Sequence, residues 1–122
     1  MNIFSRFLNQ FSSDRDIEEF IAYWDRLEYL VVHVYREKME VSAAEEEFAV
    51  VWPWLRANYG RWEGRLRPYW QQTRAAGKPT AADPFRLLID LQSPKEISAG
   101  WHLMQHLPAA REAINQYLRS AA

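Results

Sequence analysis

Two histidines, His102 and His106, stand four residues apart in a segment predicted to be helical, and His33 is the third histidine of the chain. A spacing of four places two imidazoles on one face of an α-helix, as zinc sites require. The buried side of that predicted helix is marked by three apolar residues, Ile97, Trp101 and Met104. Both histidines point away from that side, and His33 points away from its own apolar line, so the three do not converge. A helical metal-dependent enzyme using His102 and His106 is therefore our third hypothesis.

Other groups that perform catalysis are sparse or have a structural explanation. The chain has no cysteine, which excludes thiolate metal sites and cysteine nucleophiles. Its four glycines are scattered singly, so there is no glycine-rich loop to bind phosphate. Acidic clusters at 16–19 and 45–47 fall in first turns of predicted helices, where the helix dipole favours negative charge. We therefore expect a protein that is not an enzyme and that binds no cofactor.

Trp54 lies off the apolar stripe of its predicted helix and is accompanied by arginines. The side opposite the stripe carries Val50, Trp54, Arg61, Arg65 and Gln72. Tryptophan and arginine dominate the energetics of protein interfaces. We predict a contact face that includes Trp54, Arg61 and Arg65. The alternative is that the N-terminal helix, or the short helices after Asp83, covers Trp54 within the same chain.

Charge is unevenly distributed along a chain whose net charge is −1. Residues 14–47 contain eleven acids and four bases, whereas residues 48–78 contain six bases and one acid. Two neighbouring helices that complement each other's charge explain this pattern without an external partner. Arginines interleaved with aromatic rings also suit nucleic acid, but the overall acidity ranks that partner below protein. A protein partner or self-association is the first hypothesis, and a nucleic-acid-binding protein using segment 56–78 is the second.

The elements that must position these residues are predicted from apolar spacing. Apolar residues recur at steps of three and four along a stripe: Val41, Ala44, Phe48, Trp52, Leu55, Tyr59, Trp62, Leu66 and Tyr69. A second line with the same steps comprises Ile17, Phe20, Trp24, Leu27, Val31 and Val34. Because the link between them is short, segments 14–38 and 42–76 are predicted to fold back as an antiparallel hairpin.

Capping signals and prolines predict where helices begin and end. Ser12 to Asp14 are predicted to end a short amphipathic helix, residues 1–12, that packs on the bundle or on a partner. Pro53 and Pro68 predict either a kink or a break in the second arm of the hairpin.

Shorter helices are predicted after the hairpin. Asp83 and Ser93 are each followed by proline, a typical helix start. Pro108 opens the last helix, whose inward residues are predicted to be Ile114, Tyr117 and Leu118. The whole chain, 1–122, is predicted to be one all-α domain: an antiparallel helical bundle built on a long helical hairpin, with a short N-terminal helix and two or three shorter C-terminal helices.

Composition also bears on location. The first residues lack the apolar core of a signal peptide, and no apolar run approaches the ~20 residues of a membrane span. A cysteine-free chain suits a reducing compartment. We expect a soluble, cytoplasmic protein that acts as a small non-enzymatic interaction or scaffolding module and associates with itself.

Overall fold

The computed structural model describes residues 3–72, 74–75, 78–79, 82–99 and 101–121, with side chains described for 16–72, 82–97 and 103–120. The helices are α1 (Ile3–Tyr35), α2 (Val41–Asn58), α3 (Gly60–Trp70), α4 (Pro84–Ile89), α5 (Pro94–Ala99) and α6 (His106–Ala121), with a 3-10 helix at Trp101–Gln105. Two short strands, β1 (Arg74–Ala75) and β2 (Lys78–Pro79), pair antiparallel. The predicted all-α class is confirmed.

The first helix is continuous where the sequence predicts two. α1 passes through Ser12–Asp14 without interruption, so the predicted end of a separate helix at that point is wrong. Serine and aspartate cost a helix interior only about 0.5 kcal/mol each relative to alanine, far less than proline. The chain has neither proline nor glycine there to stop the helix. The packing predicted for segment 1–12 lies outside the described side chains.

The second arm is interrupted at Tyr59 and not at either proline. Pro53 lies inside α2 and Pro68 inside α3. Tyr59 keeps right-handed helical dihedrals, with φ −58° and ψ −30°. Its carbonyl oxygen accepts hydrogen bonds from the backbone N–H groups of Trp62 (2.8 Å) and Glu63 (3.0 Å). The helical phase therefore carries over from α2 to α3, which ends at Trp70 and not at residue 76.

Large aromatic rings form the centre of the core. Phe20 is fully buried, and its ring lies 6.1 to 6.2 Å from four others: Trp24, Tyr59, Trp62 and Phe85. The predicted stripe is buried from Ala44 to Leu66. At its ends the prediction is wrong: Val41 is 68% exposed at the first turn of α2, and Tyr69 is half-buried. The end positions of a helix have neighbours on one side only, so their burial depends on what packs beyond them.

Contacts between α1 and the α2–α3 arm show which residues of the two arms lie at the same level, that is, at the same height along the helix axes. Three contacts show that the two arms run antiparallel, because residue numbers decrease in α1 as they increase in the other arm. They join Arg26 with Glu47, Tyr23 with Trp54, and Phe20 with Trp62. Residues one turn before Phe20 therefore lie beside the part of α3 that follows Trp62.

The last helix packs on α3 and α4. It begins at His106, so Pro108 lies within its first turn, where a missing N–H has no helical partner to lose. Ile114 is buried and Tyr117 half-buried, as predicted. The prediction for Leu118 is wrong: it is 39% exposed, in the last turn of α6. No helix in the described part of the chain is both long enough and apolar enough to cross a membrane.

Candidate functional site

The structure places the histidines of the metal hypothesis in different elements. His102 lies in the 3-10 helix and His106 is the first residue of α6, so the prediction that one α-helix carries both is wrong. A 3-10 helix aligns residues three apart, not four. The side chain of His102 lies outside the described side chains, while His33 stacks on Tyr29 with ring centroids 3.7 Å apart. Among the described residues no group of three metal-binding side chains is assembled.

Trp54 is half-buried, and α1 covers one of its faces. Its ring stacks on Tyr23 with centroids 4.0 Å apart and an angle of 5° between the planes. The guanidinium of Arg26 lies 5.4 Å from the centre of the Tyr23 ring and donates to the carboxylate of Glu47. Tyr23 belongs to neither of the elements that the sequence offered as a cover. The result is a layered stack of flat groups at the outer edge of α1 and α2.

Arg61 and Arg65 are exposed on α3. The guanidinium of Arg65 lies 5.0 Å from the centre of the Trp62 ring, which restrains its side chain. Arg61 makes no ion pair or hydrogen bond with any residue that the structure describes. Because the helical phase continues through Tyr59, Trp54 and the two arginines share one side of the α2–α3 arm.

The other described arginines of segment 56–78 serve the fold. Arg56 donates to the backbone carbonyl oxygens of Ile89, at 3.2 Å, and of Leu91, and so binds the end of α4. Arg67 lies 4.0 Å from Glu63 of its own helix. The segment therefore presents fewer available cations to nucleic acid than its composition suggests.

The predicted charge pairing between the two arms is not formed by the described arginines of α2 and α3. α1 instead pairs with α6, where Arg111 donates to Asp25 and to both carboxylate oxygens of Glu28, at 3.1 and 2.9 Å. Tertiary placement decides this, since it brings Arg111 of α6 against these acids.

Asp16 and Glu19 occupy the edge of α1 that also carries Tyr23 and Arg26. Both acids are exposed, and neither forms an ion pair with any described residue. Positions 16, 19, 23 and 26 follow steps of three and four and so share one helix face. By the contacts given above, the two acids lie at the level of Arg61 and Arg65. We call the combined surface of Asp16, Glu19, Tyr23, Arg26, Glu47, Trp54, Arg61 and Arg65 the mixed-charge face.

A polar cluster between α3 and α4 was not predicted as a unit. The N-cap role of Asp83 is confirmed: its Oδ1 accepts from the backbone N–H groups of Phe85 (2.9 Å) and Arg86 (3.4 Å). Its Oδ2 accepts from the hydroxyl of Tyr59 at 2.6 Å. Arg86 donates to Glu63 at 2.9 Å, and its guanidinium lies 4.9 Å from the centre of the Tyr59 ring.

The electrostatics of this cluster indicate a structural role. Burial, and then the hydrogen bond to Asp83, raises the pKa of the Tyr59 hydroxyl well above its usual range. Burial also raises the pKa of Asp83, against the opposing effect of the three hydrogen bonds that it accepts. Both carboxylate oxygens of Asp83 are occupied by donors of the same chain. The cluster therefore fastens α4 to α3.

A cleft at the corner between α1 and α2 is a further feature that sequence reasoning missed. It has a volume of about 220 Å³ and is lined by Val34, Glu37, Met39, Val41, Ala44, Glu45, Pro94 and Lys95. This is below the roughly 300–1,000 Å³ of ordinary small-molecule sites. The exposure of Val41 is the local consequence of this opening.

Comparison with known proteins finds no matching family, no matching curated protein and no matching solved structure. Similarity therefore assigns no function to this chain, and its surface supplies the observations that bear on function. Of the sites described above, the mixed-charge face alone combines aromatic rings with exposed charges that lack partners among the described residues. The Tyr59–Asp83 cluster is satisfied internally.

Proposed function

We propose that this chain is a small non-enzymatic protein-interaction module that associates with itself, and that Trp54, Arg61 and Arg65 belong to its contact face. The observation that carries the proposal is the position of Arg61. It is exposed on the side of the α2–α3 arm that carries Trp54, two helical turns further along the chain, and has no acidic partner among the described residues. An arginine next to half-buried rings is the typical composition of an interface hot spot.

The rigidity of this surface supports the proposal. Trp54 is held against Tyr23, and Arg65 is held over the ring of Trp62. Side chains that are already ordered before association lose little conformational entropy when a partner arrives. The proposal includes a cytoplasmic location, which a chain without cysteine suits.

Measuring the molar mass of the chain in solution across a range of concentrations tests the proposal. We expect the wild type to form a species larger than the monomer, and the double variant Arg61→Ala/Arg65→Ala to raise its dissociation constant at least about tenfold, equivalent to ~1.4 kcal/mol. Arg36→Ala is the matched control, since Arg36 is also exposed but lies at the opposite end of α1. A wild type that stays monomeric near 1 mM, or an equal effect of Arg36→Ala, would contradict the proposal.

A nucleic-acid-binding protein using segment 56–78 stays the second hypothesis. The exposure of Arg61 and Arg65 favours it, while the engagement of Arg56 with the carbonyl oxygens after α4 counts against it. Fluorescence anisotropy of a labelled single-stranded oligonucleotide at low salt tests it, since phosphate contacts are strongest there. No binding with about 10 μM protein would eliminate the hypothesis. The metal-dependent enzyme using His102 and His106 gains no support from the described geometry.

A further inference from the structure

We infer that the partner of the mixed-charge face is a second copy of this chain, related by a two-fold axis parallel to α1 and α3. In this arrangement Arg61 and Arg65 of one copy contact Asp16 and Glu19 of the other. The inference rests on the self-association proposed above and specifies which residues meet and in what geometry.

The two edges of the mixed-charge face carry charged and aromatic groups in a complementary order. In chain order, the described side chains of the α1 edge are Asp16, Glu19, Tyr23 and Arg26, which is two negative groups, an aromatic ring and a positive group. At the same levels the other edge carries Arg65, Arg61, Trp54 and Glu47, which is two positive groups, an aromatic ring and a negative group. At every level the two edges therefore bear opposite charges or two rings.

Symmetry turns this pattern into a self-complementary surface. A two-fold rotation about an axis parallel to the helices exchanges the two edges and keeps each level unchanged. The α1 edge of one copy then lies over the α2–α3 edge of the other at matching heights. Each charge meets its opposite, and the Tyr23–Trp54 stack of one copy meets that of the other. An axis perpendicular to the helices at the height of the rings would instead oppose Glu19 to Arg26 and Arg61 to Glu47, but Arg26 and Glu47 already pair with each other inside one chain.

The state of the charges within one copy leaves them available for this contact. Arg26 and Glu47 already pair inside the chain. Asp16, Glu19, Arg61 and Arg65 form no ion pair with any described residue, although they occupy neighbouring edges. Exposed ion pairs are individually weak, and their main effect is to select the register and to exclude wrong pairings. Two-fold symmetry makes each contact occur twice in the dimer, so reversing one charge in the chain changes two contacts between the copies.

Exchange of charges between the edges tests the inference. One variant carries Arg61→Glu/Arg65→Glu, the second carries Asp16→Arg/Glu19→Arg, and a third carries all four changes. Each of the first two places like charges together at both contacts, so we expect its dissociation constant to rise at least about tenfold. The third variant restores opposite charges and should associate as the wild type does. An equimolar mixture of the first two should form a heterodimer, because both of its contacts are then complementary.

Sedimentation velocity and native mass spectrometry distinguish these species, since the two double variants differ in mass. Circular dichroism and the thermal midpoint show whether each variant is folded. Arg36→Glu/Glu46→Arg, which reverses exposed charges elsewhere, is the control and should leave association unchanged. A wild type that associates, combined with an Asp16→Arg/Glu19→Arg variant of undiminished affinity or a mixture that forms no heterodimer, would overturn this geometry and leave the proposed function standing. A monomeric wild type would overturn both.

Discussion

Single residues in this protein show how the surroundings decide the role of a chemically capable group. Tyr59 and Asp83 together resemble an acid–base pair, yet both oxygens of the carboxylate accept hydrogen bonds from donors of the chain. Arg56 looks like a phosphate-binding residue in the sequence, but it binds the carbonyl oxygens that follow α4. Asp83 as an N-cap was predictable because the cap and the following proline are adjacent in the chain. The partners of Tyr59 and Arg56 were not, since they lie 24 to 35 residues away.

At the residue scale we predict that Tyr59→Phe lowers the free energy of unfolding by about 1–2 kcal/mol near neutral pH, because the hydroxyl no longer donates to Asp83. The pKa of Tyr59 in the folded protein lies above its ordinary value near 10. Because the pKa of Tyr59 is higher in the folded than in the unfolded chain, its stabilising effect is complete below the unfolded-state pKa. The effect declines as the pH rises above that value. The difference between wild type and variant should therefore narrow above about pH 10.

Urea unfolding at a series of pH values measures this difference. Tyr35→Phe is the control, since Tyr35 is 40% exposed and should show almost no difference near neutral pH. A difference between wild type and Tyr59→Phe that stays constant to about pH 11 would show that Tyr59 ionises normally in the folded protein.

At the scale of helices and strands, the apolar period was a better guide than the prolines. The stripe from Ala44 to Leu66 was predicted, and it is buried. Pro53 and Pro68 are accommodated inside helices, and the interruption falls at Tyr59 beside Gly60. A proline loses one hydrogen bond and tilts the helix, but burial of a continuous apolar stripe outweighs that local cost. Where each helix ends depends on tertiary contacts of its end residues, and no local sequence pattern contains those contacts.

The C-terminal end of α1 supplies a prediction at this scale. The N–H of Lys38 donates to the carbonyl of His33 at 2.8 Å and that of Glu37 to the carbonyl of Val34 at 3.1 Å, which forms a Schellman motif. Glu37 occupies its left-handed position with φ 56°, where glycine is favoured. We expect Glu37→Gly to raise the free energy of unfolding by about 0.5–1 kcal/mol, because the strain of Cβ is removed. Glu37→Ala removes the same charge but keeps Cβ, so it should give no gain in urea unfolding. Equal stabilities of the two variants would refute the explanation.

At the scale of the whole molecule, the mixed-charge face, on which the proposed function rests, is built from three helices. The mixed-charge face needs the acids of α1, Trp54 of α2 and the arginines of α3, and the stack of Tyr23 on Trp54 joins α1 to α2. Sequence reasoning identified Trp54, Arg61 and Arg65 as a shared side of one arm. It did not relate Asp16 and Glu19 to that side, because it explained those acids by the helix dipole alone.

The whole-molecule prediction concerns ionic strength. If opposite charges select the contact between copies, raising the salt concentration from about 0.1 M to 1 M shortens the screening length from ~10 to ~3 Å and should weaken association several-fold. The four-fold neutral variant Asp16→Asn/Glu19→Gln/Arg61→Gln/Arg65→Gln should lose that dependence. Sedimentation equilibrium at each salt concentration measures both. Association of the wild type that is unaffected or strengthened by salt would show that the aromatic rings, and not the charges, govern the contact.

Local patterns along the chain suffice to predict the helical class, most of the buried stripe and the helix start at Asp83, because each depends on residues within a few positions of one another. Tertiary packing sets which helices lie side by side, that Arg111 of α6 and no arginine of α3 pairs with Asp25 and Glu28, and that the two histidines belong to separate elements. Periodicity records which way a side chain points from its own helix axis. What it meets there is set by the packing of distant segments, which depends on shape, volume and the sum of many weak contacts.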